Sequence, residues 1–140
     1  SEYWTPEIGD GSQYGIPGWG NNEQQWYLAE NATVADGILT ITARREMTNN
    51  YPYTSARIKT AEKFDIKYGR IEARVRMPKG KGSWAAFWML PTNSPYGGWA
   101  AGGEIDIFEA INLGVDGRNS VSGTLHYGMA WPLNVYQTAE

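Results

Sequence analysis

Apolar residues recur at every second position along much of this chain, and glycine and proline interrupt the runs before a long helix can form. In "YGRIEARVRMP", residues 68–78, Ile71, Ala73, Val75 and Met77 alternate with Glu72, Arg74 and Arg76. That is the period of a half-buried antiparallel strand. "ATVADGILTITARR" holds two β-rich runs around Asp36-Gly37, a two-residue hairpin signal. "TSARIKT" adds a shorter run, and "WAAFWMLP", ended by Pro91, reads as a strand buried on both faces. In "SVSGTLHYG", Val121, Leu125 and Tyr127 alternate with Ser122, Thr124 and His126. With 17 Gly and 7 Pro, many of them in loops such as "YGIPGWGNN" and "PTNSPYGGWAAGG", turns must be frequent. These patterns predict an all-β chain without helix, internal repeat or linker, folded as an antiparallel β-sandwich.

The 140 residues suit one domain, and an apolar content of 41% is enough for a core. The net charge of -3 arises from interspersed acids and bases with no Lys/Arg cluster, which argues against nucleic acid as a partner. Without cysteine, neither a disulfide nor a thiolate metal site can form. The opening "SEYWTPEIGDG" has no signal-peptide pattern. No apolar run approaches the roughly 18 to 20 residues of a membrane span. Seven Trp and nine Tyr against three Phe favour rings with a polar edge. Such rings serve a sugar-binding cleft, and they serve equally to fill a sandwich core.

The chemistry concentrates in "GGEIDIFEAIN", residues 102–112, where Glu104, Asp106 and Glu109 crowd together. On a regular strand Glu104 and Asp106 share a face and Glu109 opposes them. The alternation slips at Ile107-Phe108, however, and resumes one step out of phase, which is how a β-bulge looks in sequence. With one extra residue there, Ile105, Ile107 and Ala110 stay inward and the three acids project from one face. Like charges side by side weaken a strand, so a row of acids calls for a functional reason. Calcium or magnesium would accept carboxylate oxygens, but three acids on one straight face wrap a cation poorly and no EF-hand-type loop is present. No metal ligand is therefore assigned. Two carboxyls about 5 to 5.5 Å apart instead suit a retaining glycosidase.

These residues carry a resemblance. "GGEIDIFEAIN" resembles the active-site strand of glycoside hydrolase family 16 in its bulged E-x-D-x-x-E form. "YGRIEARVRMPKGKGSWAAFWMLP", "GTLHYG" and "EIGDG…GIPGWGNNEQQWYL" are similar to neighbouring stretches of the laminarinase branch, the endo-1,3-β-glucanases. The resemblance implies a jelly-roll sandwich, with Glu104 as nucleophile, Glu109 as general acid/base and Asp106 between them. It implies substrate contacts at Asn22, Arg74, Trp84, Trp99, His126 and, on the leaving-group side, Trp131. Trp88, four residues after Trp84, is either a neighbour on that face or core. Ala85 and Ala100 stand where the family usually has Pro.

The family's domain is longer than this chain, so residues 1–140 are expected to be part of a single catalytic domain whose opening and C-terminal segments are absent. A structural calcium in the family would take ligands outside these residues, and the chemistry would need no cofactor. The resemblance further implies a secreted enzyme, monomeric when complete, acting on a polysaccharide with no membrane partner. A non-catalytic carbohydrate-binding sandwich, or a related hydrolase on mixed-linkage glucan, agarose or carrageenan, is the alternative.

Overall fold

The period-two runs fold into ten strands, with three short 3-10 turns and no α-helix. The computed structural model describes all residues from 1 to 140 in two units, Ser1–Lys67 and Tyr68–Glu140. The first unit holds β1 (Thr5–Glu7), β2 (Gln25–Tyr27), β3 (Ala32–Ala35), β4 (Ile38–Ile41), β5 (Tyr53–Ser55) and β6 (Arg57–Lys59). Three two-stranded ladders form, β1 with β6, β2 with β5 and β3 with β4. The β3–β4 hairpin turns on Asp36 at φ 51° and Gly37 at φ 75°, the left-handed pair that a two-residue turn requires. The ladder between β2 and β5 is parallel, a local exception to the antiparallel expectation. Alternation in sequence fixes which face a residue shows, and it is blind to the direction of the neighbouring strand.

Trp19, only 5% exposed, anchors this unit. Its indole N–H donates to the Gly9 carbonyl at 3.1 Å, and the Arg57 guanidinium lies 4.4 Å over its ring. Arg57 and Lys59 both reach the buried carboxylate of Glu7, which is thereby paired twice. A buried carboxylate left alone would be costly, and here the two partners come from the strand in register with it.

The second unit is one four-stranded antiparallel sheet in the order β10-β9-β8-β7. Its strands are β7 (Trp84–Met89), β8 (Glu104–Ile111), β9 (Ser122–Gly128) and β10 (Asn134–Ala139). On β9, Thr124 and Ser122 are two residues apart, while their partners Asp106 and Glu109 on β8 are three apart. The register against β7 shifts at the same place. One extra residue therefore sits in β8 at Ile107-Phe108, where the sequence placed it.

Three sequence expectations need correction. Residues 68–78 form no strand, and Ile71 and Met77 alone of their apolar set are half-buried. A strand exists only where a neighbour completes its ladder, which periodicity does not report. Nor is β7 buried on both faces, since Trp84 is 47% exposed. The face of β8 expected to point inward is also mixed. Ala110 is fully buried, whereas Ile105 and Ile107 are 48% and 36% exposed. Leu125 pairs with Ile105, and Val135 pairs with Tyr127. All of these are exposed, so the sheet carries an open apolar face.

Such a face normally packs against a second layer, and a half-exposed Ile or Leu forgoes about 1 kcal/mol of burial. Residues 1–140 expressed alone are therefore expected to bind a hydrophobic dye and to lose structure over a broad temperature range. A sharp calorimetric transition without dye binding would contradict this.

Candidate active site

The approach to β8 is shaped by its two glycines. A Cβ on Gly102 would collide with the Ser94 hydroxyl and lie 3.1 Å from Pro91. Gly103 takes φ 86° while its N–H bonds the Ala100 carbonyl at 2.9 Å. Only glycine adopts that conformation readily, and the turn delivers Glu104 to the first position of the strand.

The bulge then sets Glu104, Asp106 and Glu109 on one face, each opposite a polar residue of β9: His126, Thr124 and Ser122 respectively. Across β7 the same register puts Trp88 opposite Asp106 and Trp84 opposite Ile111, so both indoles belong to the acid face. Each acid has a partner. The indole N–H of Trp84 donates to Glu109 Oε1 at 2.9 Å, and the indole N–H of Trp99 donates to Glu104 Oε2. Asp106, 6% exposed, meets His126 Nε2 at 3.2 Å through Oδ2. Nε2 therefore carries the proton of that bond, while Nδ1 is buried without a partner.

His126 lies between two rings, with Trp99 at 5.3 Å and Tyr136 at 5.8 Å between centroids. Trp131 is tied in through its backbone, donating to the Trp99 carbonyl at 2.9 Å, and its own side chain is 70% exposed. Trp84 and Trp99 are 47% and 43% exposed, which leaves ring surface free for a sugar face. Burial pushes the Glu104 carboxyl up to about 7. The Trp99 N–H works in the other direction, and the Asp106 charge, a hydrogen bond with Asp106 and the Glu109 charge add to the rise.

Five of the six substrate contacts implied by the resemblance lie in this unit; Trp84, Trp99 and His126 bond the acids, and Trp131 reaches them only through its backbone bond to Trp99. Arg74 is exposed in the unpaired extended segment, with no hydrogen bond or ion pair to the acids. Asn22 lies in the first unit at φ 55°, after the 3-10 turn Pro17–Gly20. Tyr136 was missed in sequence, because β10 carries no clear alternation. Thr124 and Thr138, whose hydroxyls lie 3.1 Å apart behind Asp106, left no signal that singles them out.

Glu104, Asp106 and His126 bring their ligand atoms within 4.8 Å of one another, the one cluster of three carboxylate or imidazole groups. An imidazole is a poor calcium ligand, so these residues do not fit the oxygen cage that a structural calcium needs.

Comparison with known proteins agrees with this geometry. Residues 19–138 match a family model described as XgeA-like, catalytic GH16 domain. The chain is 46% identical over 128 residues to glucan endo-1,3-beta-glucosidase A1 of Niallia circulans, covering 84% of this chain and 18% of that protein. It is 44% identical over 127 residues to the clotting factor G alpha subunit of Tachypleus tridentatus, covering 91% and 18%. It superposes on the laminarinase catalytic domain of Thermotoga maritima MSB8 with a TM-score of 0.85 at 46% identity, over 99% of this chain and 56% of that one. The fold is thus the all-β jelly roll of those laminarinases, and the chain spans about half of that solved domain and a smaller share of the two curated relatives.

The raised Glu104 carboxyl has a stability consequence. Its ordinary value is 4.5, so between there and about 7 the unfolded chain ionises while the folded one keeps its proton. The stabilisation of the protonated form is complete below 4.5 and lost as pH rises through about 7. In the full-length protein, Glu104→Gln, neutral throughout, is expected to raise Tm by about 2 to 4 °C at roughly pH 8 and to change it little at roughly pH 4. Equal shifts at both pH values would show that the group is not held protonated by its surroundings.

Proposed function

This chain belongs to glycoside hydrolase family 16, and we propose on that premise that it carries the catalytic row of a retaining endo-glycosidase acting on β-1,3-glucan. One observation carries the reading: the bulge in β8 aligns three carboxylates on one face, with an exposed indole hydrogen-bonded to each outer glutamate. A wet surface strand has no use for such a row.

In the proposed double displacement Glu104 attacks the anomeric carbon while Glu109 gives its proton to the departing glycosidic oxygen. Glu109, now ionised, takes a proton from water, whose oxygen displaces Glu104 and leaves the sugar with its original configuration. Glu104 must be ionised to attack, yet burial and Asp106 favour its protonated form in the empty cleft. The His126 N–H fixes the orientation of Asp106. Trp84 and Trp99 would stack on sugar faces around the scissile bond, with Trp131 beyond Trp99. Asn22 and Arg74 remain substrate contacts on the strength of the resemblance.

The steps draw on carboxylates alone. A polysaccharide is too large to enter a cell uncut, which favours a secreted enzyme, monomeric in its complete form. A non-catalytic glucan-binding role would need the indoles and hydroxyls but not the aligned acids.

Roles are separable by leaving group. In the full-length protein Glu104→Gln should lower kcat by at least about 10³-fold on every substrate. Glu109→Ala should lose as much on laminarin yet keep most of its first-step rate on an aryl glycoside whose leaving group needs little protonation. Equal damage to both substrates in both variants would overturn the assignment. The pH profile offers a second check. Asp106→Asn removes a charge that raises Glu104, so the acidic limb of kcat/KM should move down. Trp99→Phe removes a hydrogen bond that lowers it, so the limb should move up. Shifts of the same sign would contradict the electrostatic account.

A further inference from the structure

His126 reaches the acid row through one hydrogen bond, its Nε2 meeting Asp106 Oδ2 at 3.2 Å. An imidazole in such a place is ordinarily held at both nitrogens, the second bond fixing the plane of the ring. Here Nδ1 is buried without a partner, so no second bond keeps the ring from turning. Two aromatic rings take over that task. Trp99 lies 5.3 Å from the imidazole at an interplanar angle of 49°, and Tyr136 lies 5.8 Å away at 39°. Both spacings fall within the range of a favourable tilted ring pair.

The sheet builds this clamp by register. On β10 Tyr136 stands opposite His126, and on β8 Glu104 stands opposite His126 from the other side. The three therefore lie on one line across the sheet and share one face. Every residue of β10 from Asn134 to Ala139 has its partner on β9, so a complete ladder places Tyr136. Trp99 comes from the loop before β8, where its carbonyl accepts the Trp131 N–H at 2.9 Å and its indole N–H donates to Glu104. One indole thus fixes Glu104 with its edge and packs its ring on the imidazole. Tyr136 meets that imidazole ring to ring, since Nε2 is taken by Asp106 and Nδ1 has no partner.

We propose that Tyr136 is a positioning residue for the reaction: with Trp99 it clamps the His126 imidazole in the plane that directs the Nε2 proton at Asp106. The inference rests on the glycosidase reading of the acid row, and it adds to that row a residue acting from two strands away. Without the Tyr136 ring the imidazole is free to turn, and Asp106 then faces Glu104 without a fixed donor. A phenylalanine ring preserves the clamp and a side chain without a ring does not.

The test uses the full-length protein and three variants. Tyr136→Phe keeps the ring, while Tyr136→Leu and Tyr136→Thr remove it, the threonine being a good strand former should leucine not fold. Loss of the ring is expected to lower kcat on a linear β-1,3-glucan by about three- to tenfold, as for one lost ring pair, with KM within about twofold. Tyr136→Phe is expected to stay within about twofold of the parent in both. A rise in KM at unchanged kcat would make Tyr136 a sugar contact and overturn the positioning role, as would equal losses with and without the ring. A second readout needs no activity. The Nε2 proton of His126, assigned by its absence in His126→Asn, is followed by proton NMR. Its exchange with water should quicken at least about fivefold when the ring is lost and stay as in the parent in Tyr136→Phe. Unchanged exchange in the variants without the ring would overturn the clamp and leave the glycosidase reading standing. A parent that cleaves no glucan, with the exchange difference present, would overturn the glycosidase reading and leave the clamp.

Discussion

One inserted residue holds this site together. Without the bulge at Ile107-Phe108, Glu109 would face the opposite side of β8 from Glu104 and Asp106, and no pair of glutamates could work on one bond. With it, three like charges are forced onto neighbouring positions of one face, an arrangement that weakens a strand unless each charge is answered. The structure answers each one differently. Trp84 donates to Glu109, Trp99 to Glu104 and His126 to the buried Asp106. The cost that remains appears in Glu104, whose carboxyl burial and neighbouring charge push up to about 7. The same crowding that makes the strand expensive makes the carboxyls unequal, and inequality is what acid–base chemistry between two glutamates requires.

In the proposed site the indoles have two tasks. Their N–H edges fix the outer acids, while their exposed faces stay available to a sugar ring. Phenylalanine could supply the second property but not the first, which accounts for Trp at positions 84 and 99. Rigidity comes from the glycine turn before Glu104 and from the backbone bond that ties Trp131 to Trp99.

Much of this was legible in the sequence, for reasons that can be named. The phase slip in "EIDIFEA" identified the bulge because side-chain period and backbone phase are rigidly linked in a strand. Asp36-Gly37 identified the hairpin because few residue pairs accept two left-handed conformations in succession. Residues 68–78 misled because alternation records a preference for faces, whereas a strand also requires a partner, often one far away in sequence. The parallel pairing of β2 with β5 escaped for the same reason. Tyr136 and the Thr124–Thr138 hydroxyl pair enter the site through register alone, which no local pattern reveals.

The most direct test of the central claim is the stereochemistry of the first product. Proton NMR of the reducing end released by the full-length protein from a β-1,3-glucan, recorded before mutarotation, reads it without assumption about individual residues. Two carboxylates brought together on one strand face to act as nucleophile and acid/base must release the β-anomer first. Initial appearance of the α-anomer would mean a water molecule between widely spaced acids, and the bulged row could not then act as a nucleophile and acid/base pair.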